Sequence, residues 1–131
     1  NDDLVRSNAI NKSSITWEEH IDWFHRSLVN KDVFLFLIDV ENIPIGQVRF
    51  EKEDNFFRID YSIRSQLRGR NLGKKLLRLA INKLSNKKGK HLLGEVLPSN
   101  IASSKIFQEL GFNLTKHSDI HIYTKRLKGA L

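Results

Sequence analysis

Residues 56–84 read FFRIDYSIRSQLRGRNLGKKLLRLAINKL, and two different hydrophobic periods meet within this stretch. Phe56–Ile63 is rich in aromatic and β-branched side chains, which is typical of a strand. Apolar residues then recur at every fourth position from Leu72 to Leu84, which predicts a helix that Gly89 ends. The stretch is therefore predicted to form a strand, a turn and a helix.

The flanking sequence predicts further elements in an order that fixes the fold class. Residues 16–30 are predicted to be helical, because Thr16 and Glu19 form a capping box and apolar residues follow at helical spacing. Two strands and turns then lead into the strand at residue 56 as an antiparallel meander. After the second helix come a strand, a short helix and two strands. This order predicts an α/β (α+β) domain with a mixed, mainly antiparallel central sheet flanked by helices. The remaining predicted elements are Val33–Val40, 43–51, 91–97, 101–110, 112–115 and 120–127.

The chain has 131 residues and is 40% hydrophobic, which suits one globular domain over residues 1–131. It contains no Cys, which excludes disulfides, thiolate metal sites and cysteine nucleophiles and favours a reduced, cytoplasmic setting. No apolar run approaches the length of a membrane span. The five His residues form no metal-ligand pattern, so no metal is expected.

Positive charge is concentrated in one segment. Residues 61–94 carry ten basic and no acidic residues, whereas residues 1–60 carry twelve acidic and seven basic residues. The join between the predicted strand and helix lies in this segment, where unpaired backbone N–H groups and the helix dipole favour an anion. An ordinary solvated loop is the alternative interpretation. The candidate anion site comprises Arg68, Gly69, Arg70, Asn71, Leu72, Gly73 and Lys74.

Two motifs resemble the GNAT family of acyl-CoA-dependent N-acetyltransferases. The family's pyrophosphate loop, Arg/Gln-x-x-Gly-x-Gly/Ala, is matched by Arg68, Asn71 and Gly73, with Asn in place of the first Gly. Its second signature, an Asn followed by an aromatic residue and Gly-Phe, is matched by Asn100, Phe107 and residues 111–112. The resemblance implies that the family's first strand is missing here, because residues 1–6 look like the end of its first helix.

The resemblance also implies roles for individual residues. The backbone at Ile63 would pair with the pantetheine arm of acetyl-CoA as an added strand would. Residues 68–74 would hold the pyrophosphate. Asn100, Ser103 and Ser104 would line the pantetheine arm.

Acetylation of an amine requires a base, a donor for the carbonyl oxygen and stabilisation of the leaving thiolate. Glu95 is a candidate base, because Glu95-Val96-x-x-x-Asn100 resembles the ribosomal-protein alanine acetyltransferases within the family. Asp60 is the second candidate, while a salt bridge or solvated carboxylate explains either residue without catalysis. The family usually has Tyr where this chain has Phe107, which has no proton to give. Either Ser103, Ser104 or water would then protonate the thiolate, or the thiolate would leave unassisted and be protonated later.

The resemblance predicts an N-acetyltransferase that moves an acetyl group from acetyl-CoA to a small primary amine by direct attack. The spacing of aromatic residues in 17–24 resembles the branch that acetylates nucleotide-linked amino sugars, including pseudaminic-acid pathway enzymes. A protein N-terminus or Lys side chain is the alternative acceptor, and a homodimer is an open expectation. A non-catalytic acyl-CoA sensor and a nucleic-acid binder are the competing classes, the latter not expected because the basic charge is not spread over the chain.

Overall fold

The computed structural model describes the backbone of residues 21–27 and, with side chains, residues 33–64, 72–84 and 90–127. These residues form seven strands and two helices. The strands are β1 (Ile21–Ser27), β2 (Val33–Val40), β3 (Ile43–Glu53), β4 (Phe56–Ile63), β5 (His91–Val96), β6 (Asn113–Lys116) and β7 (His121–Arg126). The helices are α1 (Leu72–Leu84) and α2 (Ile101–Glu109).

All seven strands belong to one sheet with the order β1-β2-β3-β4-β5-β7-β6. The pairs from β1 to β4 are antiparallel, as are β5 with β7 and β7 with β6. Only β4 and β5 run parallel, because α1 provides the crossover between them. The prediction of a mixed, mainly antiparallel sheet flanked by helices is confirmed.

Both helices pack against one face of this sheet. In α1, Leu76 reaches the β3 backbone at Gly46, while Gly73 lies beside Tyr61 of β4. In α2, Phe107 covers Gly94 of β5. The apolar side of each helix is thereby buried with the inward side chains of the strands, which supplies most of the stabilisation of the fold.

The hydrophobic core lies between this face and the helices. Val48, Phe50 and Phe57 from the meander and Leu77 from α1 have almost no exposed surface. Strand alternation therefore places their neighbours in sequence on the opposite face, where charged side chains accumulate. Within the described ranges, no helix is long and apolar enough to cross a membrane.

The predicted helix over residues 16–30 is wrong where the structure describes it. Ile21–Ser27 forms β1, which pairs with β2 in register from Ile21 and Val40 to Ser27 and Phe34. The backbone groups along the outer edge of β2 can pair with a neighbouring strand, and this long-range pairing overrides the local helical spacing. Ile21 and Phe24, which contributed to the apolar spacing, also suit a strand. The rest of the predicted helix lies outside the described residues.

The other predicted elements are present with small shifts at their ends. The meander has the predicted order, and β3 extends to Glu53, two residues beyond the predicted end. The described part of α1 runs from Leu72 to Leu84, and the predicted end of this helix at Gly89 lies outside the described residues. The short helix starts at Ile101 as predicted. The turns of the meander contain residues with positive φ, Glu41, Asn42 and Asp54, which allow the tight reversals.

Candidate active site

β4 and β5 separate near the middle of the sheet. Their parallel pairing runs from Phe56 and His91 to Ile59 and Gly94 and ends there. β4 nevertheless continues to Ile63, and β5 continues to Val96. Because the two strands stop pairing before they end, a gap opens between them in the sheet.

A cleft of about 530 Å³ lies at this gap on the helix-covered face. Its walls are the end of β4, the start of α1 and one side of α2 from its N-terminus to Glu109. The lining residues are Tyr61, Ser62, Ile63, Gly73, Asn100, Ala102, Ser103, Lys105, Ile106 and Glu109. Four residues of the sequence-predicted coenzyme site, Ile63, Gly73, Asn100 and Ser103, are thus brought together around one cleft, although they come from three different elements.

The Gly at position 73 keeps the start of α1 close to β4 and α2. A Cβ on Gly73 would lie 2.8 Å from Ile106 Cδ1 and 3.1 Å from Ile63 Cδ1. Gly73 is buried and lines the cleft, so its lack of a side chain lets the start of α1 pack directly against Ile63 and Ile106.

Asn100 lies at the N-terminus of α2, which also borders the cleft. Its side chain accepts a hydrogen bond from the Ser103 backbone N–H at 3.1 Å and so caps α2. Ser104, one residue further, has a buried hydroxyl without a hydrogen-bond partner among the described residues. The predicted group Asn100, Ser103 and Ser104 therefore lies in the first turn of α2.

The hydroxyls of Tyr61 and Ser103 form a hydrogen bond of 2.5 Å across the cleft. Burial raises the pKa of the Tyr61 hydroxyl above its ordinary value of 10.0, and the hydrogen bond with Ser103 lowers the pKa in part. Tyr61 therefore remains protonated at neutral pH. Sequence analysis did not identify Tyr61, although its alternation with Ile59 and Ile63 along β4 could have placed it on the same face.

Phe107 lies in the core beside Tyr61 and does not itself line the cleft. Its ring is 2% exposed and packs edge-on against Tyr61, with 6.3 Å between the ring centroids. It also stacks on Tyr123 at 5.4 Å and contacts Phe112 at 5.0 Å. At the position where the resemblance expects a tyrosine, the structure therefore has an apolar side chain within an aromatic cluster.

The two candidate bases lie on the opposite face of the sheet. Glu95 and Asp60 line a recess of about 220 Å³ together with Arg49, Glu51 and Arg58. Arg58 forms ion pairs with both Glu95 and Glu53, the second at 3.1 Å. The salt-bridge interpretation of Glu95 therefore has a partner, which is Arg58 of β4.

The predicted anion site is described only in part. Arg68, Gly69, Arg70 and Asn71 lie outside the described residues. Leu72 is buried at the start of α1, and Lys74 forms an ion pair with Glu109 at 3.2 Å. Lys105 reaches the same carboxylate at 3.9 Å. Among the described residues, no group of three His, Asp or Glu side chains could hold a metal ion.

Comparisons with known families agree with this arrangement. The family model described as the acetyltransferase (GNAT) domain matches residues 1–113. The chain belongs to this family, and the sequence-based prediction of the family is confirmed. A search among curated proteins gave no match.

Several solved structures share the fold. The ribosomal L7/L12 alpha-N-protein acetyltransferase RimL, in complex with coenzyme A, aligns with a TM-score of 0.67 and 15% identity over 75% of this chain. The N-acetyltransferase PseH of Campylobacter jejuni, in complex with acetyl coenzyme A, aligns with a TM-score of 0.65 and 19% identity. This alignment covers 74% of this chain and 70% of the PseH chain. The spermidine/spermine N-acetyltransferase SpeG of Vibrio cholerae aligns with a TM-score of 0.68 and 14% identity. This alignment covers 77% of this chain and 70% of the SpeG chain. This chain spans 64% of the RimL chain.

Proposed function

We propose that this chain is an N-acetyltransferase that transfers the acetyl group of acetyl-CoA directly to a primary amine. The observation that carries the proposal is the early end of the β4–β5 pairing at Ile59 and Gly94, which opens a cleft beside two helix N-termini. Membership of the GNAT family supports it. In the related fold of PseH, the solved complex contains acetyl coenzyme A.

The residues that line the cleft support the binding of a pantetheine arm there. Ile63 and Asn100 line opposite walls, and an extended ligand with amide groups can add to a strand edge as a further strand would. The start of α1 closes one end of the cleft, where Leu72, Gly73 and Lys74 would hold the pyrophosphate together with residues 68–71.

The gap in the sheet connects the coenzyme to its acceptor. A thioester held on the helix-covered face would present its carbonyl carbon to the charged face through the separation of β4 and β5. The amine would approach from the recess that contains Glu95 and Asp60. One of these carboxylates would take the proton of the ammonium group, because only the free amine attacks the carbonyl.

A small amine is the acceptor that we propose, with a nucleotide-linked amino sugar as the first candidate. The mixed charge of the recess supports this choice, since Arg49 and Arg58 could hold an anionic group while a carboxylate receives the amine. The similarity in fold to PseH points in the same direction. A protein N-terminus is the second candidate, because RimL has the same fold and acts on a ribosomal protein.

The proposal can be tested with the intact chain. Acetyl-CoA at about 100 times its Kd should stabilise the folded state by about 2.7 kcal/mol, which thermal unfolding will detect, whereas DNA and RNA should not. Release of free thiol should then be measured with an amino-sugar nucleotide, spermidine and a peptide with a free N-terminus. Stabilisation without thiol release from any amine would identify an acyl-CoA sensor. Stabilisation by nucleic acid alone would overturn the proposal.

A further inference from the structure

We infer that Tyr61 is the proton donor to the departing thiolate, with the Ser103 hydroxyl as its partner. This inference rests on the proposed function and adds a residue to it. Thiolate departure requires stabilisation or protonation, and Phe107 cannot supply a proton. Among the residues that line the cleft, Tyr61 has a side chain that can donate a proton.

The position of Tyr61 meets the geometric requirement for such a donor. The side chain comes from β4, two residues beyond the last pair that β4 makes with β5. It lines the cleft on the face where the coenzyme would bind, and its ring packs against Phe107. The phenol therefore occupies the space beside the apolar ring that lacks a hydroxyl.

The hydrogen bond to Ser103 supports the transfer of a proton. At 2.5 Å the two hydroxyl oxygens are in direct contact, and either can donate to the other. Ser103 is itself held in place by Asn100, which accepts a hydrogen bond from its backbone N–H. A phenol in a buried site keeps its proton at neutral pH, as the raised pKa of Tyr61 indicates.

The step balances without any further reactant. The amine nitrogen bonds to the thioester carbon, the C–S bond breaks, and its electron pair goes to sulfur. The Tyr61 O–H gives its proton to sulfur, so coenzyme A leaves as the thiol. The nitrogen loses one proton to solvent as the amide forms, and the tyrosinate recovers one from solvent through the Ser103 hydroxyl.

The test uses binding as well as turnover. Tyr61→Phe removes the hydroxyl and keeps the ring. We expect kcat to fall about 100-fold, within the usual range for general acid catalysis, while the Kd of acetyl-CoA changes less than twofold. At pH 9, where much of the free coenzyme is thiolate, Y61F should bind coenzyme A about tenfold more weakly, since hydrogen bonds to charged groups are strong. Binding of desulfo-coenzyme A, which has no sulfur, should not change.

Tyr123→Phe is the matched control. The Tyr123 hydroxyl accepts a hydrogen bond from Gln108, and its ring also stacks on Phe107, but it does not line the cleft. Y123F should therefore keep the turnover and both affinities of the unmodified chain. Ser103→Ala should lower kcat, and adding it to Y61F should cost nothing more, because the two hydroxyls act together.

The possible results separate this inference from the proposed function. If neither coenzyme A nor desulfo-coenzyme A binds the unmodified chain, the proposed function fails. The assignment of Tyr61 is overturned, while the proposed function stands, if Y61F weakens the binding of coenzyme A and of desulfo-coenzyme A equally. The same holds if Y61F leaves both affinities and kcat unchanged. If Y123F lowers kcat as much as Y61F does, the effect comes from the aromatic packing and the assignment is also overturned.

Discussion

The Gly at position 94 sets how closely α2 approaches the sheet at the gap between β4 and β5. A Cβ at this position would lie 2.5 Å from Phe107 Cζ, 2.8 Å from Cε1 and 3.1 Å from Cε2. The ring has little room to withdraw, because it packs against Tyr61, Tyr123 and Phe112. Gly94→Ala should therefore strain the core directly beneath the cleft.

The size of the effect follows from two opposing contributions. Overpacking of a dense core costs about 1–3 kcal/mol. Replacing Gly with Ala restricts the unfolded chain and offsets about 0.4–1 kcal/mol of this cost. The free energy of unfolding of G94A should thus fall by roughly 1–2 kcal/mol, measured by urea denaturation at equilibrium.

Gly73→Ala provides the matched control. Its Cβ would approach the ends of two flexible side chains, Ile106 at 2.8 Å and Ile63 at 3.1 Å, which can move aside. Ala is also favoured over Gly in a helix by about 1 kcal/mol. G73A should be as stable as the unmodified chain or more stable.

A second variant tests the contact itself. Phe107→Leu combined with G94A should lose less stability than the sum of the two single variants, because the smaller side chain makes room for the new Cβ. The reasoning is refuted if G94A matches the stability of the unmodified chain, if G73A is destabilised as much as G94A, or if the double variant is strictly additive.

Three further predictions concern charges and a helix cap. Lys74→Ala should weaken acetyl-CoA binding about tenfold by calorimetry. Lys116→Ala, which removes an exposed lysine of β6 outside the cleft, should change the Kd less than twofold; equal losses would exclude a specific role for Lys74. Glu95→Gln should lower kcat about 100-fold if Glu95 is the base. Glu53→Gln, which removes the other carboxylate that pairs with Arg58, should leave kcat unchanged. If E95Q also leaves kcat unchanged, Asp60 remains as the candidate base. Asn100→Ala should lower the free energy of unfolding by about 1 kcal/mol, and N100D should keep the cap; equal stability of all three chains would show that the cap contributes nothing.

Local sequence predicted most of the elements because their hydrophobic periods are unambiguous. The four-residue repeat from Leu72 to Leu84 allows a helix with one apolar face, and the dense apolar runs of β2 and β4 suit buried strands. The apolar spacing around Ile21–Ser27 was compatible with a helix and with a strand. There the pairing with β2 determined the outcome, and the sequence contains no local sign of a partner strand.

The candidate site divides in the same way. Spacing and resemblance identified Asn100, Ser103 and Glu95 as candidates from the sequence. Tyr61 was missed, because its partner Ser103 is 42 positions away along the chain and only the fold brings the two hydroxyls together. The ion pair of Glu95 with Arg58 was likewise not predictable, since it depends on the pairing of β4 with β5.

The sequence by itself determined the order of most of the elements, the concentration of basic residues before and within α1, and the family, because periodicity, charge and motif spacing are properties of consecutive residues. Only the tertiary structure decided where β4 and β5 separate, which face carries the carboxylates and which hydroxyl lies in the cleft. These features depend on how distant segments pack, and a one-residue difference in strand register would place each of those side chains on the other face.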